Sequence, residues 1–202
     1  MKKAMMGLAA WVVFLGCTMG VRGEAVIGEK APDFTLRDIH GKDHRLSDYA
    51  GTFVVLEWIN HGCPFVRKFY DAGEMQRLQK EYEEKGVVWL TICSSKPGSQ
   101  GHYPIETAAD ELAKHGHQSA AYLLDESGDT GRAYGARVTP HMYVINPDGL
   151  LIYRGAIDSI RSTDAADIDK AENYVVSALA AAMAGREVAI PVTTPYGCSV
   201  KY

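Results

Sequence analysis

Short, largely apolar runs alternate along this chain with stretches in which apolar residues recur at helical spacing. Phe53 to Ile59 and Val87 to Cys93 are near-continuous apolar runs, interrupted only by Glu57 and Thr91, and runs of that length predict strands buried on both faces, as in a parallel sheet. Phe65, Phe69, Ala72, Met75, Leu78 and Tyr82 fall on one helical face, predicting a helix from Phe65 to about Lys85. Gly73 interrupts that helix at modest cost in propensity, and Gly86 ends it. Ile105 to His117 reads as a helix, Ala121 to Asp125 as a third strand, Thr130 to Tyr134 as a short helix and Asp169 to Ala184 as a last one. His141 to Ile145 and Leu150 to Arg154 flank Asn146-Pro147-Asp148-Gly149, a strong antiparallel turn signal. In the leading segment 28–52, Thr35-Leu36 followed by His40-Gly41-Lys42 suggests a short hairpin, and Leu46-Ser47-Asp48 a helical turn. Residues 185–202 read as a tail carrying two prolines and Cys198.

Strand, helix, strand, helix, strand, then a hairpin and a closing helix, predict an α/β fold with a mixed central sheet flanked by helices on both faces. Ligands of such sheets sit beyond the carboxyl ends of the parallel strands. Cys63 lies just past one such end and Cys93 at another, so the two are expected to share a rim. Cys63 also stands where strand gives way to helix. There the unpaired N–H groups of the first turn favour thiolate over thiol, and the thiolate is the reactive form.

The 202 residues are enough for one domain with a sizeable core, and the formal charge of −4 gives no argument for nucleic acid or an anionic membrane. Met1-Lys2-Lys3 and the apolar Ala4 to Gly20 form the pattern of a bacterial-type secretory signal, so residues 1–23 are expected to be a signal peptide and 24–202 the domain. Export would place the domain in the periplasm or outside the cell. Phe14-Leu15-Gly16-Cys17 also resembles a lipoprotein processing site, which would tether the domain to a membrane through Cys17. Without Cys17, the chain keeps Cys63, Cys93 and Cys198, an odd number for an oxidising compartment. One pair plus a spare, or a redox-active site, fits better than a structural disulfide framework.

Over residues 26–184 the pattern resembles the thioredoxin-like fold, in the branch shared by peroxiredoxins (the alkyl hydroperoxide reductase/thiol-specific antioxidant type) and secreted thiol–disulfide oxidoreductases. Ala31-Pro32-Asp33-Phe34-Thr35-Leu36 with Leu46-Ser47-Asp48-Tyr49 resembles the peroxiredoxin-type lead-in. Cys63-Pro64 resembles the start of the redox helix, and Val138-Thr139-Pro140 the loop carrying the family's cis-proline; a strand–helix insertion lies between them. Cys-Pro-Phe-Val-Arg-Lys together with a Pro-Tyr-Gly-Cys-x-Val-Lys-Tyr tail, here Pro195 to Tyr202, is similar to a bacterial group of exported peroxiredoxin-like proteins.

Two departures bear on activity. Val66 stands where a thioredoxin has its second cysteine, and Asn60 and Leu56 stand where a peroxiredoxin has threonine or serine and proline. The second sulfur must therefore come from elsewhere, and Cys198, in a tail free to swing across the rim, is the choice over Cys93, which ends a buried strand. The reading is an oxidoreductase acting on a peroxide or a disulfide, with Cys63 as nucleophile, Cys198 as resolving thiol, an unidentified protein electron donor and no cofactor. Glu57 resembles the buried carboxylate that shuttles protons in thioredoxins; its alternative is a salt bridge to Lys68 or Arg67. Asn60 offers a side-chain hydrogen bond at the site, while His61 and His141 are expected near the sulfur. By the resemblance Thr139, Pro140, Pro64 and Arg67 line the substrate surface, where the backbone beside the cis-proline is left free for a substrate chain. Two rival readings remain. One is a copper- or zinc-binding module using Cys63, His61, His141 and Cys198, and the other is a redox-silent binding protein of the same fold.

Overall fold

Alternation of side chains along each strand splits the apolar residues into two layers, and the sheet between them is what positions the site. The computed structural model describes residues 24–202. The expected signal peptide, residues 1–23, and with it Cys17 lie outside the described residues. Three parallel strands form the middle of the sheet: β3 (Val54–Trp58), β4 (Val88–Cys93) and β5 (Ala121–Leu124). The hairpin of β1 (Thr35–Asp38) and β2 (Asp43–Arg45) adds antiparallel to β5, and β7 (His141–Ile145) followed by β8 (Leu151–Gly155) adds antiparallel to β3. The resulting order is β2-β1-β5-β4-β3-β7-β8. A separate ribbon pairs β6 (Val138–Thr139) with β9 (Cys198–Ser199).

On one face Val55, Ile59, Trp89, Met142 and Val144 pack with Phe69, Met75 and Leu78, and with Val175, Ala178 and Leu179 of α5 (Tyr174–Met183). On the other, Val54, Leu56, Trp58, Leu90, Ile92 and Tyr143 pack with Tyr134 of α4 (Asp129–Tyr134). Burial of large apolar side chains at about 1.5–3 kcal/mol each dominates the stabilisation. The predicted hairpin is locked at its turn by Asp38, whose carboxylate accepts from the backbone of His40 and Lys42 and lies 2.8 Å from His44 Nε2.

Three expectations need correction. The helix after Cys63 is two helices, α1 (Pro64–Asp71) and α2 (Glu74–Glu84). Gly73 between them sits at φ 75°, a left-handed conformation that ends the first helix rather than being tolerated inside one. The helix after the Pro104 loop, α3 (Ile105–Ala113), stops short of His115 and His117, which lie in the following turn. α5 begins at Tyr174, because Asn173 Oδ1 caps it by accepting from the N–H groups of Val175 and Val176, both at 3.1 Å.

Candidate active site

Cys63 is fixed by the turn that joins β3 to α1. Its N–H donates to Asn60 O at 2.9 Å, and its own carbonyl accepts from Val66 and Arg67 at 3.0 Å, making Cys63 the N-cap of α1. Pro64 fills the first helical position, where a missing N–H costs nothing. Asn60 holds the turn with both ends of its side chain: Oδ1 accepts from Gly62 N at 2.8 Å and Nδ2 donates to Gln100 O at 2.9 Å. The side-chain hydrogen bonds of Asn60 thus serve the turn that holds Cys63 and the 99–101 loop.

The sulfur is wholly buried. As a thiol it donates to Thr139 O at 3.1 Å, beside the cis Thr139–Pro140 bond, and Cys198 N–H points at it from 3.4 Å. Burial alone would raise the Cys63 thiol, but hydrogen bonds from the Cys198 side chain and backbone outweigh it and bring Cys63 below the ordinary thiol range. Cys198 moves the opposite way, raised by burial and by the neighbouring sulfur. The pair is thus polarised, with Cys63 the better thiolate and Cys198 the proton keeper. All three described cysteines are unpaired.

Residues 191–202 form a strap pinned along its length. Arg154 N donates to Pro191 O and Thr193 N to Arg154 O, at 3.0 and 3.1 Å. Tyr196 Oη donates to Asp158, β9 pairs with β6, and Lys96 N donates to Lys201 O at 2.9 Å. Tyr202 Oη reaches Ala136 O at 2.6 Å. Gly197 lets the strap close on the loop. It sits at φ 143°, and a Cβ there would lie 1.9 Å from Thr139 O. The expected free tail is in fact tied down, because nearly every turn of it finds a backbone partner. The backbone groups of Val138 and Thr139, expected to be open to a substrate chain, are paired with it.

The remaining predicted residues separate. His141 does not reach the sulfur. Strand alternation turns it with Tyr143 to the opposite face from Cys63, where Nδ1 lies 3.1 Å from Tyr143 Oη. Cys93 is buried and donates to Gly101 O at 3.3 Å, and burial pushes its thiol up. His61 contacts His117 instead, Nε2 to Nε2 at 2.6 Å. Arg67 is exposed and pairs with Asp71 at 3.2 Å. The proposed copper or zinc set therefore does not converge, and among the described residues no group of three or more His, Cys, Asp and Glu side chains can hold a metal ion.

Glu57 is buried on the same sheet face as Val55 and Ile59, and neither Lys68 nor Arg67 pairs with it. Lys68 is in a buried ion pair with Asp158 at 3.1 Å. Glu57 instead accepts from Trp89 Nε1 at 2.9 Å, Gln79 Nε2 at 3.2 Å and Tyr70 Oη at 3.1 Å. Burial raises its pKa to about 7, against the lowering pull of those donors. A carboxyl raised in the fold stabilises it fully below the unfolded pKa, and that contribution is lost as pH rises through the folded value. Stability should therefore fall by about 3 kcal/mol between roughly pH 4.5 and 7.5. Urea unfolding across that range should show the slope in the parent and lose it in Glu57→Gln.

Sequence reading missed Asp158, Tyr196, Tyr70, His115 and His117, all far in sequence from the residues they serve. The one available signal was Lys68, a charge at helical spacing from Phe65 and Ala72 of the apolar face.

Comparison with known proteins adds family and fold. Residues 27–154 match the sequence model of the AhpC/TSA family. A thiol–disulfide oxidoreductase ResA of Geobacillus thermodenitrificans is 26% identical over 123 residues, 61% of this chain and 65% of that relative, so the chain spans just under two thirds of its length. An uncharacterized conserved protein from Geobacillus kaustophilus superposes with a TM-score of 0.77 at 29% identity, covering 88% of this chain and 92% of that one. The thioredoxin domain of a thiol–disulfide oxidoreductase from Bacteroides vulgatus superposes at 0.52 with 18% identity, over 73% and 98% of the two chains. This last likeness speaks for the fold alone: it is the expected α/β thioredoxin-like fold, with a mixed sheet and flanking helices.

Proposed function

This chain belongs to the AhpC/TSA family, matched over residues 27–154, and from that premise we propose a thiol–disulfide oxidoreductase in which Cys63 is the nucleophile and Cys198 the resolving thiol. The observation that carries the reading is the Cys198 N–H aimed at Cys63 Sγ from 3.4 Å, opposite Thr139 O, with Cys198 bringing the Cys63 thiol down. With Val66 in place of a nearby second cysteine, the dithiol is assembled from opposite ends of the domain.

The exchange runs in two displacements. Cys63 thiolate attacks one sulfur of a substrate disulfide, forming a mixed disulfide and releasing the other sulfur as thiolate. Cys198, after losing its proton, attacks Cys63 Sγ, forming the Cys63–Cys198 disulfide and releasing the second substrate thiolate. The substrate gains two electrons and the cysteine pair loses them; an external dithiol returns the pair to its reduced form. Disulfide is favoured over peroxide as oxidant because the Asn60 side chain is committed to the turn and because the ResA relative carries a thiol–disulfide oxidoreductase name. Since the strap covers Cys63, it must lift from β6 before a protein substrate docks beside Pro140.

Residues 1–23 support export to the periplasm or beyond, with membrane attachment only through lipidation of Cys17. One experiment tests both proposals. The protein is isolated from its host, mildly oxidised, alkylated at free thiols and digested for mass spectrometry. The expected result is a Cys63–Cys198 linked peptide, alkylated Cys93 and a new N-terminus near residue 24. A Cys63–Cys93 link, or Cys63 alkylated throughout, would sink the resolving role of Cys198. An intact Met1 would sink export.

A further inference from the structure

The interior holds a second chain of polar groups that the two displacements do not use. Tyr70 Oη on α1 donates to Glu57 Oε1 and Oε2 at 3.1 and 3.2 Å and accepts from Gln79 Nε2 at 2.9 Å. Its third contact is His117 Nδ1 at 3.3 Å, and His117 Nε2 in turn meets His61 Nε2 at 2.6 Å. His61 lies in the turn two residues before Cys63, its ring stacked on that of half-buried His115 with centroids 3.7 Å apart. Along this string one polar atom has no partner: His61 Nδ1, which is buried.

The partners fix the tautomers. With Glu57 ionised, Tyr70 spends its only proton on the carboxylate, so His117 Nδ1–H donates to Tyr70 Oη. His117 Nε2 is then an acceptor, and His61 Nε2–H donates to it. His61 Nδ1 is left as a bare lone pair, which explains the unpartnered atom: it is an acceptor awaiting a donor. Every hydrogen bond in the string points toward Glu57.

We propose that His61, His117, Tyr70 and Glu57 form a proton wire that begins at the unpartnered His61 Nδ1 and ends on the Glu57 carboxylate. A proton delivered to His61 Nδ1 releases the Nε2 proton to His117 Nε2. His117 passes its Nδ1 proton to Tyr70, and Tyr70 passes its own to Glu57. Each intermediate group gains one proton and loses one, so the net event is protonation of Glu57; the reverse sequence returns the proton. Both imidazoles are neutral at rest, since burial and the neighbouring rings hold His61 down to about 2 and burial holds His117 down to about 3. The groups around the wire are Gln79, Trp89 and Thr91 at its inner end, Tyr122 beside His117 with Cys93 next to Tyr122, and Asp71, Glu111, Lys114 and Arg67 around His115.

The purpose assigned to the wire rests on the exchange reading above. Attack by a thiol requires loss of its proton, and a departing thiolate takes one up. Glu57 stores that proton on the Cys63 side of the sheet, and the wire connects the store to the turn beside the nucleophile.

The test measures proton movement itself. In the full chain with thiols reduced, a pH jump across neutrality is followed by the infrared carboxyl band, assigned to Glu57 by its loss in Glu57→Gln. Cutting the string with His117→Phe, or with His61→Phe, should slow protonation of Glu57 about tenfold or more, while a role confined to packing would move the midpoint and leave the rate. Either variant that keeps the parental near-ultraviolet circular dichroism serves. A slowing of less than about threefold in the folded variants overturns the wire. Because no thiol exchange enters this measurement, failure of the exchange reading would appear separately, as a parent protein that reduces no disulfide while its wire still conducts.

Discussion

Cys63→Ser is expected to abolish reduction of a disulfide substrate, with a loss of at least about 10³-fold. A serine hydroxyl at this position gains nothing from the hydrogen bonds that favour the thiolate, because its own pKa lies far above any shift the helix start and Cys198 supply. Cys198→Ser should behave differently. The first displacement survives, so one equivalent of substrate thiolate is released, and then the mixed disulfide on Cys63 accumulates because nothing attacks it. Cys93→Ser should leave both steps near the parental rate, since Cys93 is held against Gly101 O away from the pair. A chromogenic disulfide gives the burst and steady-state rates, and intact-protein mass spectrometry detects the adduct. Steady turnover by Cys198→Ser at the parental rate would remove Cys198 from the cycle, and unchanged turnover by Cys63→Ser would remove the mechanism.

The two sulfurs were legible from sequence for different reasons. Cys63 follows from local pattern alone: a largely apolar run, a cysteine, a proline and an amphipathic stretch can hardly fold otherwise than as strand, N-cap and helix. Cys198 followed from its place in a tail able to swing across the rim, and that setting was misread. A segment with two prolines and little apolar periodicity looks free because periodicity reports burial against one sheet face. This strap is held mainly by backbone pairing with β6 and β8, which leaves no trace in side-chain pattern. Glu57 was visible as a charge in an apolar strand, but its partners come from α1, α2 and β4, and no rule of spacing names them. His141 failed because strand alternation, not distance along the chain from Pro140, decides which face a side chain takes. Gly73 failed through the opposite error, in which a summed helical propensity hid a single residue able to adopt a left-handed conformation.

Asp158→Ala should cost about 3–5 kcal/mol of stability, the cost of leaving one charge of a buried pair alone. Lys68 and Asp158 side chains are 0% and 3% exposed, and no other carboxylate pairs with Lys68 among the described residues. For a domain of this size the loss lowers the melting temperature by roughly 6–20 °C. Pairing the change with Lys68→Met should recover much of it, since an apolar replacement removes the stranded charge. The recovery separates two roles of Asp158, because its other oxygen accepts from Tyr196 Oη and Ile160 N and so fastens the strap to the segment after β8. In the double variant the stability returns but that fastening does not. With Tyr196 released, the strap loses one of its fastenings next to Gly197, and the Cys198 donors spend less time on Cys63. Two consequences run in opposite directions and are measurable together. Alkylation of Cys63 at high pH should become faster because the sulfur is uncovered. The pH at which its thiolate absorbance appears should rise because the hydrogen bonds that lowered it are made less often. A double variant with faster alkylation and an unmoved thiolate titration would mean that the strap shields Cys63 without activating it. The polarity of the pair would then have to come from the helix start alone.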